Sequence, residues 1–147
     1  MTSPADSFPD KVQFQSDLAE LPRLTSVLEE WAASRGYPQR LAGTFNICLD
    51  EIVTNIIKYG YQQSGREGVI DLTFGTKGGL AEIKVEDDAP AFDPFSAAQP
   101  DFDLELEDMP IGGLGIFLTK EMMDEVEYAY VNGRNTLILR KAIEDKD

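Results

Sequence analysis

Glu51 and Asn55 stand four residues apart in the stretch Leu49-Asp-Glu-Ile-Val-Thr-Asn-Ile-Ile-Lys-Tyr. At roughly 100° per residue, a helix here gathers Phe45, Cys48, Leu49, Ile52 and Ile56 into one apolar arc. It turns Asn46, Asp50 and Thr54 toward solvent. Glu51, Asn55 and Lys58 fall in a row at the flank of the arc, so a carboxylate and an amide sit at the edge of a core. An amide oxygen is a hard ligand suited to magnesium. A carboxylate one turn away can orient or deprotonate a water or hydroxyl beside the metal. The same spacing also describes a solvated helix edge with a Glu51–Lys58 contact.

Two other stretches carry chemistry. A β-like run, Leu80 to Glu86, ends in Asp87-Asp-Ala-Pro-Ala-Phe-Asp-Pro. A carboxylate at a strand end can accept a hydrogen bond from the amino group of a bound base, although Asp-Asp before Pro is also ordinary turn chemistry. Ile111-Gly-Gly-Leu-Gly-Ile-Phe-Leu-Thr-Lys places three glycines among four residues at the start of a helix. Glycine lets backbone N–H groups approach an anion closely, and a helix N-terminus favours negative charge. The spacing is neither the Rossmann nor the Walker pattern. A hinge opening a helix reads the same way.

The elements that must position these groups follow from periodicity. Residues 1–10 read as a loose tail, and a short strand covers Val12 and Phe14. Leu18, Leu21, Leu24, Val27, Leu28 and Trp31 recur at helical spacing until Gly36 and Pro38. A second helix runs from about Pro38 to Tyr59, and a polar loop follows from Gly60 to Gly68. Val69 to Thr76 and Leu80 to Glu86 form one hairpin, and Val126 to Val131 with Thr136 to Ala142 form another around Asn132-Gly133. Between them lies an irregular, proline-rich acidic stretch, Asp87 to Ile111. The expected fold is α+β: a two-layer sandwich with a mixed, mostly antiparallel sheet and helices on one face. One domain spans 11–143, followed by a polar tail at 144–147.

Composition narrows the classes. The chain of 147 residues has 13 basic and 27 acidic side chains, a net charge of −14. That argues against DNA or RNA as the main ligand. A nucleotide remains compatible, because backbone N–H groups and a metal can neutralise a few phosphates. There is no histidine to act as base, ligand or phospho-acceptor, and a lone cysteine, Cys48, makes no internal disulfide. No apolar run approaches the ~20 residues of a membrane helix. No secretion signal is visible, and a cytoplasmic location is expected.

Taken in order, a Glu-x-x-x-Asn helix, an aspartate turn after a hairpin and a glycine turn opening a helix resemble the GHKL ATPase superfamily. Within it the chain looks like the anti-sigma-factor serine kinases, over about Phe14 to Lys141. The Leu49–Tyr59 stretch resembles the N-box. Val85-Glu-Asp-Asp-Ala-Pro-Ala-Phe-Asp-Pro resembles the first glycine box. Gly112-Gly-Leu-Gly-Ile, with Asp124-Glu-Val-Glu-Tyr and Gly133-Arg-Asn-Thr-Leu-Ile-Leu-Arg-Lys, resembles the second box and closing hairpin.

The resemblance implies a Bergerat ATP-binding fold, with ATP and Mg2+ as cofactors. Asn55 would ligate the magnesium, and Glu51 would be the base that activates a serine hydroxyl. Asp87 would accept the adenine amino group beside Ala89 and Ala91, with Thr136 supporting that site. Gly112, Gly113, Leu114 and Gly115 would cradle phosphates, with Lys120 nearby, and residues 95–111 would form an ATP lid. Implied partners are an anti-anti-sigma (STAS) protein and a sigma factor, and members of the branch often form homodimers. Ala89 and Ala91 depart from the family's glycines: alanine resists positive φ and brings a methyl toward the nucleotide. They motivate an alternative, a partner-binding module with a weak nucleotide site.

Overall fold

The computed structural model describes residues 9–91 and 113–143, with the backbone alone for 113–117. Strand β1 (Lys11–Gln15) leads through a short 3-10 turn (Leu18–Glu20) into helix α1 (Leu21–Arg35). Helix α2 (Gln39–Asn55) continues without a break as a π-helical segment, Ile56–Gln62. The hairpin of β2 (Val69–Lys77) and β3 (Leu80–Asp87) follows. After helix α3 (Gly113–Met122), strands β4 (Glu125–Val131) and β5 (Arg134–Ala142) form the second hairpin.

Local chemistry explains the boundaries. Gly36 takes a left-handed φ of 71° at the end of α1, with Gly36 N–H on Ala33 O and Tyr37 N–H on Ala32 O. That pair of bonds satisfies carbonyls a plain helix end leaves open. The β4–β5 turn has positive φ at both Asn132 and Gly133, the left-handed pair that matches strand twist. The polar loop expected from Gly60 begins later, because winding continues through Gln62; Gln63 N–H reaches back to Lys58 O.

The sheet order is β1-β2-β3-β5-β4, and every described pairing is antiparallel, so the expected mixed character is absent among the described residues. Alternation divides its faces. Phe14, Ile70, Leu72, Phe74, Ile83, Val85, Leu137 and Leu139 are buried against the helices. Trp31 is the hub, with its ring 5.5 Å from Phe45 and 5.2 Å from Phe74, joining α1 to α2 and to the sheet. Asn46, expected toward solvent, instead faces α1, where the Thr25 hydroxyl meets its Oδ1 at 3.1 Å. The outer sheet face is charged, and Arg140 is buried there among Glu82, Glu125 and Glu127.

Candidate functional site

The expected site residues fall on three segments: the end of α2, the turn after the central strand β3, and the start of α3. The first is the end of α2. Glu51 and Asn55 are half-buried on it, and neither side chain has a hydrogen-bond or ion-pair partner among the described residues. The Glu51–Lys58 contact of the alternative reading is therefore absent there. The π-helical segment then carries Gly60 and Tyr61 up against the second segment, the turn after β3. A Cβ built on Gly60 would lie 2.9 Å from Ala89 Cβ. The Tyr61 hydroxyl lies 2.7 Å from Asp88 Oδ1.

Asp87 closes β3 on the inner face and is only 3% exposed. Its Oδ1 accepts the Ala89 N–H at 2.9 Å and the Asn135 side-chain amide at 2.9 Å. Oδ2 has no partner among the described residues, which leaves it to accept an amino group. Burial pushes the Asp87 carboxyl above its usual value. The hydrogen bonds from Asn135 and Ala89 and the charge of Arg134 act the other way. Ala89 is 2% exposed and turns its methyl to Gly60. Among the described residues Asn132 is the only non-glycine with positive φ, so Ala89 sits in its turn without that strain.

Asn135 is the residue that sequence reasoning missed. It pairs with Asp87 across β3 and β5, and it also donates to Ala89 O at 3.0 Å and Pro90 O at 3.2 Å. The Tyr128 hydroxyl donates to its Oδ1, which aims the amide nitrogen at Asp87. Thr136, by contrast, stands opposite Glu86 on the outer face. The signal was present in the sequence: with Leu137 and Leu139 inward, strand alternation puts Asn135 inside and Thr136 outside.

The third segment is α3. Gly113, Leu114 and Gly115 already lie in its first turn, so their N–H groups belong to a helix N-terminus. Thr119 is buried, and its hydroxyl bonds Cys48 on α2, which docks the two helices. Lys120 is exposed. Gly112 and the expected lid at 95–111 lie outside the described residues, as do the tails at 1–8 and 144–147.

The donor set suits one metal chemistry. Among the described residues no group of three or more His, Cys, Asp or Glu could hold a metal ion. A single amide oxygen with a nearby carboxylate fits magnesium that arrives with phosphate oxygens, rather than an all-protein cage.

The sequence profile of the histidine kinase-like ATPase domain matches residues 14–141. The chain belongs to this family. Among relatives of this histidine kinase-like ATPase domain, the serine-protein kinase RsbW of Bacillus subtilis is 29% identical over 131 residues, covering 86% of this chain and 79% of that protein. The RsbW of Listeria monocytogenes is 28% identical over 119 residues, covering 78% and 74%. In the crystal structure of the RsbU and RsbW domains of Rv1364c from Mycobacterium tuberculosis, the match has a TM-score of 0.63 at 15% identity. It covers 94% of this chain and 34% of that longer one. The histidine kinase domain of the Erythrobacter litoralis EL346 blue-light activated kinase gives 0.50 at 17% identity, covering 86% and 60%. These two structures share the fold. No helix among the described residues is long and apolar enough to cross a membrane.

Proposed function

We propose that this chain binds ATP with magnesium and transfers the γ-phosphoryl group to a serine of an anti-anti-sigma (STAS) partner. It acts in the cytoplasm as an anti-sigma-type regulator that also sequesters a sigma factor. The observation that carries the reading is Asp87: buried at a strand end, held through one oxygen by Asn135 and Ala89, with the other oxygen unpartnered among the described residues. That arrangement suits an adenine amino group, which donates where guanine offers a carbonyl. The names of the relatives, serine-protein kinases, supply the reaction class.

In this reading Asn55 would hold the magnesium, whose charge offsets that of the phosphates. Glu51 accepts the serine proton as the serine oxygen attacks the γ-phosphorus, and ADP leaves with the bridging oxygen's electron pair. The N–H groups at 112–115 bind phosphate oxygens at the start of α3. Lys120, on the last turn of α3, would add positive charge on the same helix. Ile47 precedes Glu51 by one helical turn and is 56% exposed, an apolar foothold for a protein substrate beside the base. The alternative, a module with a degenerate nucleotide site, drew on Ala89, Ala91 and the strongly acidic lid. Its main motive weakens with the Ala89 methyl packed on Gly60 and away from positive φ.

Labelled ATP, magnesium and the STAS partner test the proposal. Phosphoryl transfer is expected to fall by about 100-fold or more in Glu51→Ala. If wild type and Glu51→Ala transfer equally little, the kinase reading fails.

A further inference from the structure

The Asp87-Asp88 pair offers two adjacent carboxylates, and the structure gives them opposite tasks. Asp87 faces the interior. Asp88 is turned back, and all of its polar groups are engaged by two residues. Its N–H donates to the Tyr61 hydroxyl at 3.1 Å, and its Oδ1 accepts from that hydroxyl at 2.7 Å. Its carbonyl accepts from Arg66 Nη1 at 3.0 Å, and its Oδ2 pairs with Arg66 Nη2 at 3.2 Å. Arg66 also lies over the Tyr61 ring, 5.9 Å from its centre.

The Tyr61 hydroxyl has one hydrogen and two acceptors in reach. The Asp88 carboxylate, closer and charged, takes it ahead of Val69 O at 3.2 Å. Tyr61 itself cannot drift. Its side chain is fully buried, and a Cβ on Gly68 would come within 2.5 Å of its ring. Burial and the Asp88 carboxylate raise the Tyr61 hydroxyl above its usual value, while that hydroxyl lowers the Asp88 carboxyl. The pair therefore keeps its phenol and carboxylate forms across ordinary pH. The clamp anchors in the π-helical segment that follows Asn55 directly.

We infer that Tyr61, Asp88 and Arg66 form a positioning clamp that fixes the depth and angle of Asp87, and thereby set selectivity for adenine over guanine nucleotides. The inference rests on the ATP reading above and adds residues that touch no substrate. A carboxylate displaced by a fraction of an ångström loses its alignment with the amino group and its discrimination against a carbonyl.

Tyr61→Phe in the full chain keeps the ring and removes the hydroxyl. Calorimetry with Mg·ATP and Mg·GTP is expected to show ATP affinity about tenfold weaker, GTP affinity unchanged and a narrower ratio. Asp88→Ala, a surface change, is expected to do the same, and the double variant to be no worse than either single one. A second readout needs no nucleotide. Amide exchange at Asp88 and Ala89 is expected to speed up about tenfold in Tyr61→Phe, with Val85 unchanged.

Unchanged exchange at Asp88 and Ala89 overturns the clamp. Faster exchange with an unaltered ATP-to-GTP ratio overturns its role in selectivity. A wild-type chain that binds both nucleotides alike, or neither, overturns the adenine reading, and the exchange experiment still decides the clamp.

Discussion

Asp87 carries an opposition between burial and function. Burial raises its carboxyl pKa in the folded chain, so the native state holds that proton more tightly than the unfolded state does. Stability from this group is greatest below the unfolded value and declines as pH rises through the window between the two. Above the window the native chain keeps a buried charge, the form that the proposed adenine contact uses. Asp87→Asn removes the charge, and its amide oxygen can still accept from Ala89 and Asn135. At about pH 7 the variant is expected to melt higher than wild type, with the gain gone by about pH 3. Its ATP affinity is expected to fall at least about tenfold, because an NH2 then meets the adenine NH2. Thermal melts at the two pH values and calorimetry check both halves. A lower melting point at neutral pH would mean that the carboxylate's charge is stabilising where it lies.

Scale up one level, and the contact that brings the π-helical segment after α2 to the turn after β3 is the missing side chain of Gly60 facing the methyl of Ala89. Gly60→Ala brings two methyls to 2.9 Å, and one backbone must yield. Overpacking of that kind costs about 1–3 kcal/mol, more than the ~1 kcal/mol that alanine gains over glycine inside a helix. Gly60→Ala is therefore expected to weaken ATP binding and lower the melting temperature. Adding Ala89→Gly should restore binding and leave a chain at least as stable as wild type. Melts and ATP titrations of the three variants decide it. The sequence made much of this level legible: β1, the three α-helices, both hairpins and both turns follow from period and punctuation. The π-helical winding does not, since Ile56 to Gln62 keeps an apolar pattern that an α-helix would share. Nor does the pairing of Ala89 with Gly60 across 29 residues of sequence, which only the packed turn brings together. Asn135 was legible from alternation but stands next to Thr136, whose type matched the family pattern.

In the whole molecule, the two sheet faces divide the labour. The inner face carries the core and Asp87; the outer face holds β3, β4 and β5 together through Arg140. Its Nε donates to Glu82 at 2.6 Å and its Nη1 to Glu125 at 2.9 Å, with Glu127 as the third partner. Arg140→Met leaves these carboxylates facing one another, and urea unfolding is expected to show a loss of about 2 kcal/mol. The Glu127 carboxyl is held below its usual value, chiefly by the Arg140 hydrogen bond. That contribution is present above the unfolded-state pKa and disappears as pH falls through the folded one. The gap between wild type and Arg140→Met is thus expected to narrow in acid, and nucleotide affinity to stay unchanged. The strand order has a further consequence for how such chains diversify. β3 pairs with β5, which sets Asn135 beside Asp87; the chain itself leaves the sheet at Asp87 and re-enters it at Glu125, the start of β4. The ends of that excursion are pinned by strand register and not by its length. Doubling a flexible connection costs only ~0.6 kcal/mol in closure entropy. Changes of chain length between β3 and α3 are therefore expected to cost little and to leave the register of the sheet, with Asp87 beside Asn135, unchanged, so related chains can differ there and keep one sheet.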